Sequence, residues 1–124
     1  MMSKDREITI IIKKCCEYYD ASFSHIINGV IYRHCRKRSE EADLMRKNEI
    51  ARQAICFIAN TNYGFSFKEI AKYVKRNEKW AKLAWSRYHS KMISDELSER
   101  DAKSFIVDSI NSKIENDLLP SLFF

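Results

Sequence analysis

The sequence predicts an all-α fold, a compact bundle of about five to six helices that contains a helix-turn-helix. Only two glycines and one proline occur in 124 residues, so tight turns and β-hairpins can occupy little of the chain. Apolar residues recur at three- and four-residue spacing, as one face of a helix requires. Serine or asparagine precedes several of these segments, where a helix N-cap is expected. We therefore expect one helical domain over residues 1–124, with a folded core over residues 8–117.

Two helices are predicted in the first quarter of the chain. Residues 8–19 carry a broad apolar face, whereas residues 1–7 are polar and are expected to fray. Ser22 is the expected N-cap of a second helix over residues 23–31, because its hydroxyl can accept a hydrogen bond from a first-turn N–H. The side chains expected to face inward on this helix are Phe23, Ile26, Ile27 and Val30.

A basic segment, residues 33–38, follows the second predicted helix and reads Arg-His-Cys-Arg-Lys-Arg. Such a run is either the solvated end of a helix or a loop that contacts DNA phosphates or enters the minor groove. Its candidate phosphate contacts are Arg33, Arg36, Lys37 and Arg38.

A third helix is predicted to start at Ser39 and to end near Asn60. Its apolar periodicity is regular from about Arg46 onward. The helix is expected to end there because three residues that tolerate left-handed backbone angles follow closely: Asn60, Asn62 and Gly64.

The chain is organised around residues 66–92, where two capped helices follow one another directly. Ser66 and Glu69 form a capping box, with Phe65 and Ile70 at the hydrophobic-staple positions. The first helix is expected to end near Lys75. The second is expected to bury residues at helical spacing, with Trp85 in the core: Ala81, Ala84, Trp85 and Tyr88. This arrangement is typical of a helix-turn-helix, which occurs in DNA-binding proteins and also in bundles that bind nothing.

An amphipathic last helix is predicted over residues 99–117. Ser98 and Asp101 mark its start, and Pro120 is expected to stop it. Its apolar stripe comprises Ala102, Phe105, Ile106, Ser109, Ile110 and Ile114. The apolar residues in 118–124 either pack on the domain or are buried in a second copy, so a homodimer through the C-terminal helix is one expectation.

Positive charge is concentrated in the middle of the chain. Residues 1–32 contain four basic and four acidic side chains, residues 33–91 contain 15 Lys and Arg against 6 Asp and Glu, and residues 92–124 contain 3 against 7. The net charge of +5 therefore conceals an excess of +9 on the segment that includes the helix-turn-helix. A phosphate-binding face is expected to show such an excess, and a solvated basic surface shows it too.

Composition argues against several classes of protein. No apolar run approaches the roughly 18 residues of a membrane span, and residues 8–12 are too short and too charged at their flanks for a signal peptide. We therefore expect a cytoplasmic protein with four reduced thiols: Cys15, Cys16, Cys35 and Cys56. Adjacent cysteines lack zinc-site spacing, and neither a catalytic pair nor a Gly-rich phosphate loop is found. No metal, cofactor or enzymatic activity is expected.

A DNA-binding helix-turn-helix presents the first turn of its second helix to the major groove. The expected base contacts are Asn77, Glu78, Lys79 and Lys82. Phosphate contacts are expected from the basic segment and from Arg46, Lys47, Lys68, Lys72, Lys75, Arg76 and Arg87. Trp80 lies off the apolar stripe, so it is a candidate for rim packing, for base stacking or for a protein contact.

Five short motifs follow one another along the chain. They are Cys16-Glu17-Tyr18-Tyr19, the apolar pattern of residues 23–27, Ala51-Arg52-Gln53-Ala54, Phe67-Lys68-Glu69-Ile70, and Arg76-Asn77 followed by Ala81 and Ala84. In their order and approximate spacing the chain resembles, over about residues 8–115, the C-terminal DNA-binding domain of the bacterial replication initiator DnaA. The resemblance implies a Trp-repressor-like helical bundle with a helix-turn-helix, and double-stranded DNA as the partner.

The chain departs from the family at the positions that read DNA. Asn77-Glu78-Lys79-Trp80 stands where the family has Asp-His-Thr-Thr, which implies a different target sequence or none. The family's minor-groove arginine aligns with Ile50, and Arg46, Lys47 or the basic segment could replace it. The initiator's ATPase domain is not in the sequence, so replication initiation in the full sense is not expected.

Two functions remain open from the sequence. The first is double-stranded DNA binding by a small transcription regulator or replication accessory factor, in the cytoplasm and associated with the nucleoid. The second is a protein-interaction module, an adaptor or inhibitor of the replication or transcription machinery. The altered recognition segment and the acidic C-terminal region favour the second.

Overall fold

The computed structural model describes residues 2–30, 40–94 and 97–123. These residues form six helices and no strand, so the predicted all-α fold class is confirmed. The helices are α1 (Lys4–Tyr19), α2 (Phe23–Ile27), α3 (Glu40–Tyr63), α4 (Phe67–Tyr73), α5 (Glu78–Ile93) and α6 (Leu97–Phe123).

Helix α3 lies at the centre of the bundle and packs against each of the other five helices. Every residue from 51 to 59 is buried, as expected for a helix that is surrounded on all sides. Fully buried isoleucines from α1, α3, α4 and α6 form the core around it: Ile8, Ile11, Ile55, Ile58, Ile70, Ile106 and Ile110.

The first helix begins earlier than predicted, so the expectation of a frayed N-terminal segment is wrong for residues 3–7. Ser3 caps α1 by accepting a hydrogen bond from the Arg6 N–H at 3.2 Å. The first turn is also tied to two other helices, because Lys4 pairs with Glu69 at 3.4 Å and Arg6 pairs with Asp117 at 3.0 Å. These ion pairs depend on the tertiary fold, which residue spacing along the chain does not reveal.

Two helices end at different residues from those predicted, and the glycines explain both ends. Ser22 caps α2 as expected, but α2 stops at Ile27 because Gly29 turns the chain with φ +67°. Within this shorter helix Ile26 is buried, and Phe23 and Ile27 are only half-buried. Val30, predicted to lie in the helix, follows it and is also half-buried. Helix α3 runs past Asn60 to Tyr63 and ends before Gly64, whose φ is +74°.

Helix α6 also differs from the prediction. It begins at Leu97, so Ser98 lies inside it, and it continues through Pro120 to Phe123. Pro120 is so close to the end that its missing N–H removes one hydrogen bond without ending the helix. The buried stripe contains Ala102, Ile106 and Ile110, whereas Phe105 is 61% exposed. The packing expected of the side chains in 118–124 lies outside the described side chains.

Candidate nucleic-acid interface

Helices α4 and α5 are joined by a short turn with well-defined caps at each end. The predicted capping box is confirmed: the Glu69 N–H donates to Ser66 Oγ at 3.1 Å, and the Ser66 N–H donates to Glu69 Oε1 at 3.1 Å. The staple residues Phe65 and Ile70 are both buried. Asn77 caps α5, since its Oδ1 accepts a hydrogen bond from the Trp80 N–H at 2.7 Å. The direction in which α5 leaves the turn is therefore fixed by local hydrogen bonds.

The inner face of α5 packs on the central helix. Ala81, Ala84 and Tyr88 are buried as predicted. Trp85, expected in the core, is only partly buried at its edge: its ring stacks on Phe57, with centroids 5.3 Å apart, and its Nε1 donates to Thr61 Oγ1 at 2.9 Å. These contacts leave the opposite face of α5 turned to solvent.

The outer face of α5 is an exposed strip of four residues at three- and four-residue spacing: Lys79, Lys82, Leu83 and Ser86. We call these four residues the α5 strip. Leu83 is 47% exposed and contributes apolar surface to this face. Leu83 and Ser86 were not among the predicted contacts, although their helical spacing from Lys79 could have placed them on this face.

The four predicted base-contact residues lie together at the start of α5, but their side chains differ in availability. Asn77 uses its oxygen as a cap and keeps its amide N–H groups for another partner. Glu78 pairs with Lys82 at 3.7 Å, and both side chains are more than half exposed. Lys79 is exposed and forms no ion pair with another described residue. An exposed i,i+4 pair stabilises a helix by only about 0.3–0.5 kcal/mol, so Lys82 can exchange Glu78 for another partner.

Trp80 is half-buried and packs against the core at the base of α5. The guanidinium carbon of Arg76 lies 5.5 Å from its ring centroid, in a cation–π contact. The exposed side of the ring borders a concavity of about 470 Å³, lined by Trp80, Asn77, Ser86 and the side chains of Lys79, Lys82 and Leu83. Trp80 thus has both a packing role and an exposed surface beside the α5 strip.

The predicted phosphate contacts fall into separate groups. Arg46, Lys47 and Arg87 are each within 4.0 Å of an acidic side chain: Asp43 for Arg46, Asp20 and Asp43 for Lys47, and Glu49 for Arg87. The hydrogen bond from Lys47 lowers the pKa of Asp43, and the same bond raises the pKa of Lys47. These three cations are therefore partly neutralised.

The lysines of α4 and of the turn are arranged differently. Lys68, Lys72 and Lys75 are exposed and form no ion pair with another described residue. Lys72 and Lys75 open onto a groove between α1, α2 and α4, which is not the concavity beside the α5 strip. The basic segment, residues 33–38, lies outside the described residues.

A pair of arginines holds the chain just before the basic segment. Arg52 is 4% exposed, and its Nη2 donates to the carbonyl oxygens of Val30 at 3.0 Å and His25 at 3.4 Å. Arg76 Nη1 donates to the carbonyl oxygen of Gly29 at 3.3 Å. Burial, and then the charge of Arg76, lower the pKa of Arg52. This role of Arg52 was not predicted, although an arginine inside an apolar run is a signal of a buried, hydrogen-bonded charge.

The described residues also bear on metal binding, thiol reactivity and membrane spanning. Within residues 2–30, 40–94 and 97–123 no group of three or more His, Cys, Asp or Glu side chains could hold a metal ion. Burial raises the pKa of Cys16 and Cys56 to about 12, so these thiols are not activated. No helix among the described residues combines the length and the apolar character needed to cross a membrane.

A scan against protein-family models, a search of curated proteins and a search of solved structures each found no match to this chain. A functional proposal therefore depends on the geometry and charge of the chain itself.

Proposed function

We propose that this protein binds double-stranded DNA, with α5 in the major groove and α4 across the adjacent phosphate backbone. The observation that carries the proposal is the α5 strip, which presents two lysines, a leucine and a serine on one face of a helix with a capped N-terminus. A helix of this kind fits the major groove, which is about 12 Å wide. The pair α4–α5 then acts as a helix-turn-helix.

The side chains of the α5 strip match the chemistry of base edges. Lys79 and Lys82 can donate to guanine O6 and N7, and Glu78 can accept from cytosine N4 once it separates from Lys82. Leu83 can contact the methyl group of thymine. Asn77 can donate from its amide nitrogen while its oxygen caps the helix. Sequence preference is proposed to come from these residues.

Affinity is proposed to come from the surrounding positive charge. Residues 33–91 carry a net charge of +9, and neutralising phosphates with such a surface releases counterions. The phosphate contacts proposed are Lys68, Lys72, Lys75, Arg76 and Arg87, with Arg46, Lys47 and the basic segment beyond them. Binding is non-covalent and is expected to weaken steeply with salt.

A small DNA-binding domain of this kind suits a transcription regulator or a replication accessory factor. The resemblance to the DnaA C-terminal domain supports both roles and a nucleoid-associated, cytoplasmic location. A homodimer through the C-terminal helix would require a palindromic DNA site.

The proposal is tested by titrating a fluorescent random-sequence duplex at two salt concentrations. The double variant Lys79→Ala, Lys82→Ala is expected to bind more weakly and to show a smaller dependence on salt, because an interface with two fewer cations releases fewer counterions from DNA. Lys103→Ala, which removes one positive charge from α6, is the control and is expected to bind like wild type. Unchanged binding by the double variant would rule out this docking.

A second candidate function is a protein-interaction module, an adaptor or inhibitor of the replication or transcription machinery. The observation that favours it is the apolar concavity between Trp80 and Leu83, because aromatic and aliphatic anchors in a pocket are typical of protein interfaces. Under this alternative, Trp80→Ala and Leu83→Ala abolish capture of a partner, while the protein shows no salt-dependent affinity for duplex DNA.

A further inference from the structure

A groove between α1, α2 and α4 combines Lys72 and Lys75, which are proposed phosphate contacts for DNA, with aromatic and acidic side chains that DNA docking through α5 does not explain. Its volume is about 440 Å³, which is within the range of small-molecule sites. Ile12 is buried at its base, and the half-buried side chains of Phe23, Ile27 and Tyr73 line its sides. The polar lining residues are Asp5, Thr9, Lys72 and Lys75. Apolar rings therefore lie beside charged and hydroxyl groups.

The charge of the groove is positive overall. Lys72 and Lys75 are exposed, and neither forms an ion pair with a described acidic side chain. The Lys13 ammonium group lies 5.5 Å from the centroid of the Phe23 ring but is not part of the groove lining. Among the described residues, Asp5 is the one acidic side chain in the lining. Two lysines that flank an aromatic wall are suited to a ligand that combines an anion with a flat ring.

Lys75 occupies a backbone conformation that lysine rarely adopts. Its φ is +56°, at the position after the α4 C-cap, and the following Arg76 N–H donates to the Ala71 carbonyl oxygen at 3.0 Å. This is the Schellman arrangement, in which the left-handed residue is usually glycine. Lysine at this position therefore accepts an unfavourable backbone angle, and its exposed side chain opens onto the groove.

We propose that the groove binds a nucleoside phosphate, with its base against Tyr73 and Phe23 and its phosphate held by Lys72 and Lys75. Asp5 can accept from an exocyclic amino group, and the Thr9 hydroxyl keeps acceptor capacity while it donates to the Asp5 carbonyl oxygen at 2.7 Å. A free nucleotide and a nucleotide at the end of a single strand share this chemistry. The inference does not depend on binding of duplex DNA by α5.

Isothermal titration of the full chain tests the site with three probes: adenosine monophosphate, adenosine and inorganic phosphate. Adenosine monophosphate is expected to bind with a stoichiometry of one, and the other two probes at least tenfold more weakly, since each lacks half of the ligand. Equal binding of adenosine and its monophosphate, or no binding of the monophosphate, would overturn the proposal.

Lys75→Gly is the most informative variant, because glycine adopts a φ of +56° without strain. It is expected to fold with an unchanged or higher Tm and to bind the monophosphate at least tenfold more weakly. Tyr73→Leu, which keeps an apolar side chain, is expected to weaken binding of the monophosphate more than binding of inorganic phosphate. Lys68→Ala removes the same charge from α4 outside the groove and is the matched control. Wild-type affinity in Lys75→Gly would contradict the assignment.

A competition experiment identifies the source of the ligand. A six-nucleotide single strand with a 5′ phosphate that displaces the monophosphate assigns the groove to a strand end. Failure to displace it assigns the groove to a free nucleotide. Either result can be interpreted only because the titration has first shown that adenosine monophosphate binds.

Discussion

The phenolic oxygens of Tyr19 and Tyr88 lie 2.7 Å apart and link the end of α1 to the inner face of α5. Tyr88 is fully buried, so this hydrogen bond holds α5 at its inner face, opposite the proposed DNA-binding surface. Tyr88→Phe keeps the ring and removes one hydroxyl. We expect it to lower the free energy of unfolding by about 1 kcal/mol, the usual net value of one hydrogen bond. Urea unfolding measures this loss. Tyr18→Phe, at a 43% exposed ring, is the control and is expected to have little effect.

Gly29 is required where the chain passes the α4–α5 turn. Its φ is +67°, and a Cβ added there would lie 2.7 Å from the Lys75 Cβ. Gly29→Ala is therefore expected to destabilise the fold through both the backbone angle and the overlap, by about 2–4 kcal/mol in total. Gly64→Ala is the matched control, because Gly64 has φ +74° and no heavy atom within 4 Å of an added Cβ. Equal loss of stability in the two variants would show that the overlap relaxes without cost.

The capping box of α4 is expected to make the free energy of unfolding decrease at acidic pH. Hydrogen bonds from Ser66 hold the pKa of Glu69 below its usual value. A carboxylate with a lowered pKa in the folded state contributes stability above its unfolded pKa, and this contribution is lost as the pH falls through the folded pKa. Ser66→Ala is expected to cost about 1 kcal/mol at neutral pH. Thermal unfolding between pH 7 and pH 3 should show a smaller acid-induced decrease for Glu69→Gln than for wild type.

The α5 strip predicts sensitivity to the methyl group of thymine. An alternating duplex of deoxyadenosine and thymidine is expected to bind wild type more tightly than the same duplex with deoxyuridine, which lacks the methyl group. Leu83→Ala should lose this difference and still bind DNA through Lys79 and Lys82. Fluorescence anisotropy measures both affinities. A difference that persists in Leu83→Ala would assign methyl recognition to another side chain.

Local signals predicted much of this fold, because caps and helical periodicity are short-range properties. Ser22, the Ser66–Glu69 box and Asn77 were all correctly placed as caps. The errors arose where long-range contacts decide the outcome. Lys4 and Arg6 order the first turn through partners on α4 and α6, and Phe105 remains exposed although its spacing suits the buried stripe.

The candidate site was predictable in its location but less so in its composition. The sequence pointed to the start of α5, and the structure brings Asn77, Glu78, Lys79 and Lys82 together there. The sequence pattern did not reveal that Leu83 lies on the same face of α5, or that Lys72 and Lys75 open onto a different groove. The direction of each side chain depends on how α4 and α5 pack on α3, which sequence spacing leaves undetermined.

The burial of residues 51–59 of α3 by the surrounding helices has a consequence for how the molecule comes apart. Because all five other helices contact α3, separation of any one of them would expose apolar surface of α3 to water. We therefore expect the backbone amides of residues 51–59 to exchange with solvent only when the whole domain unfolds. Their exchange rates then report the global free energy of unfolding.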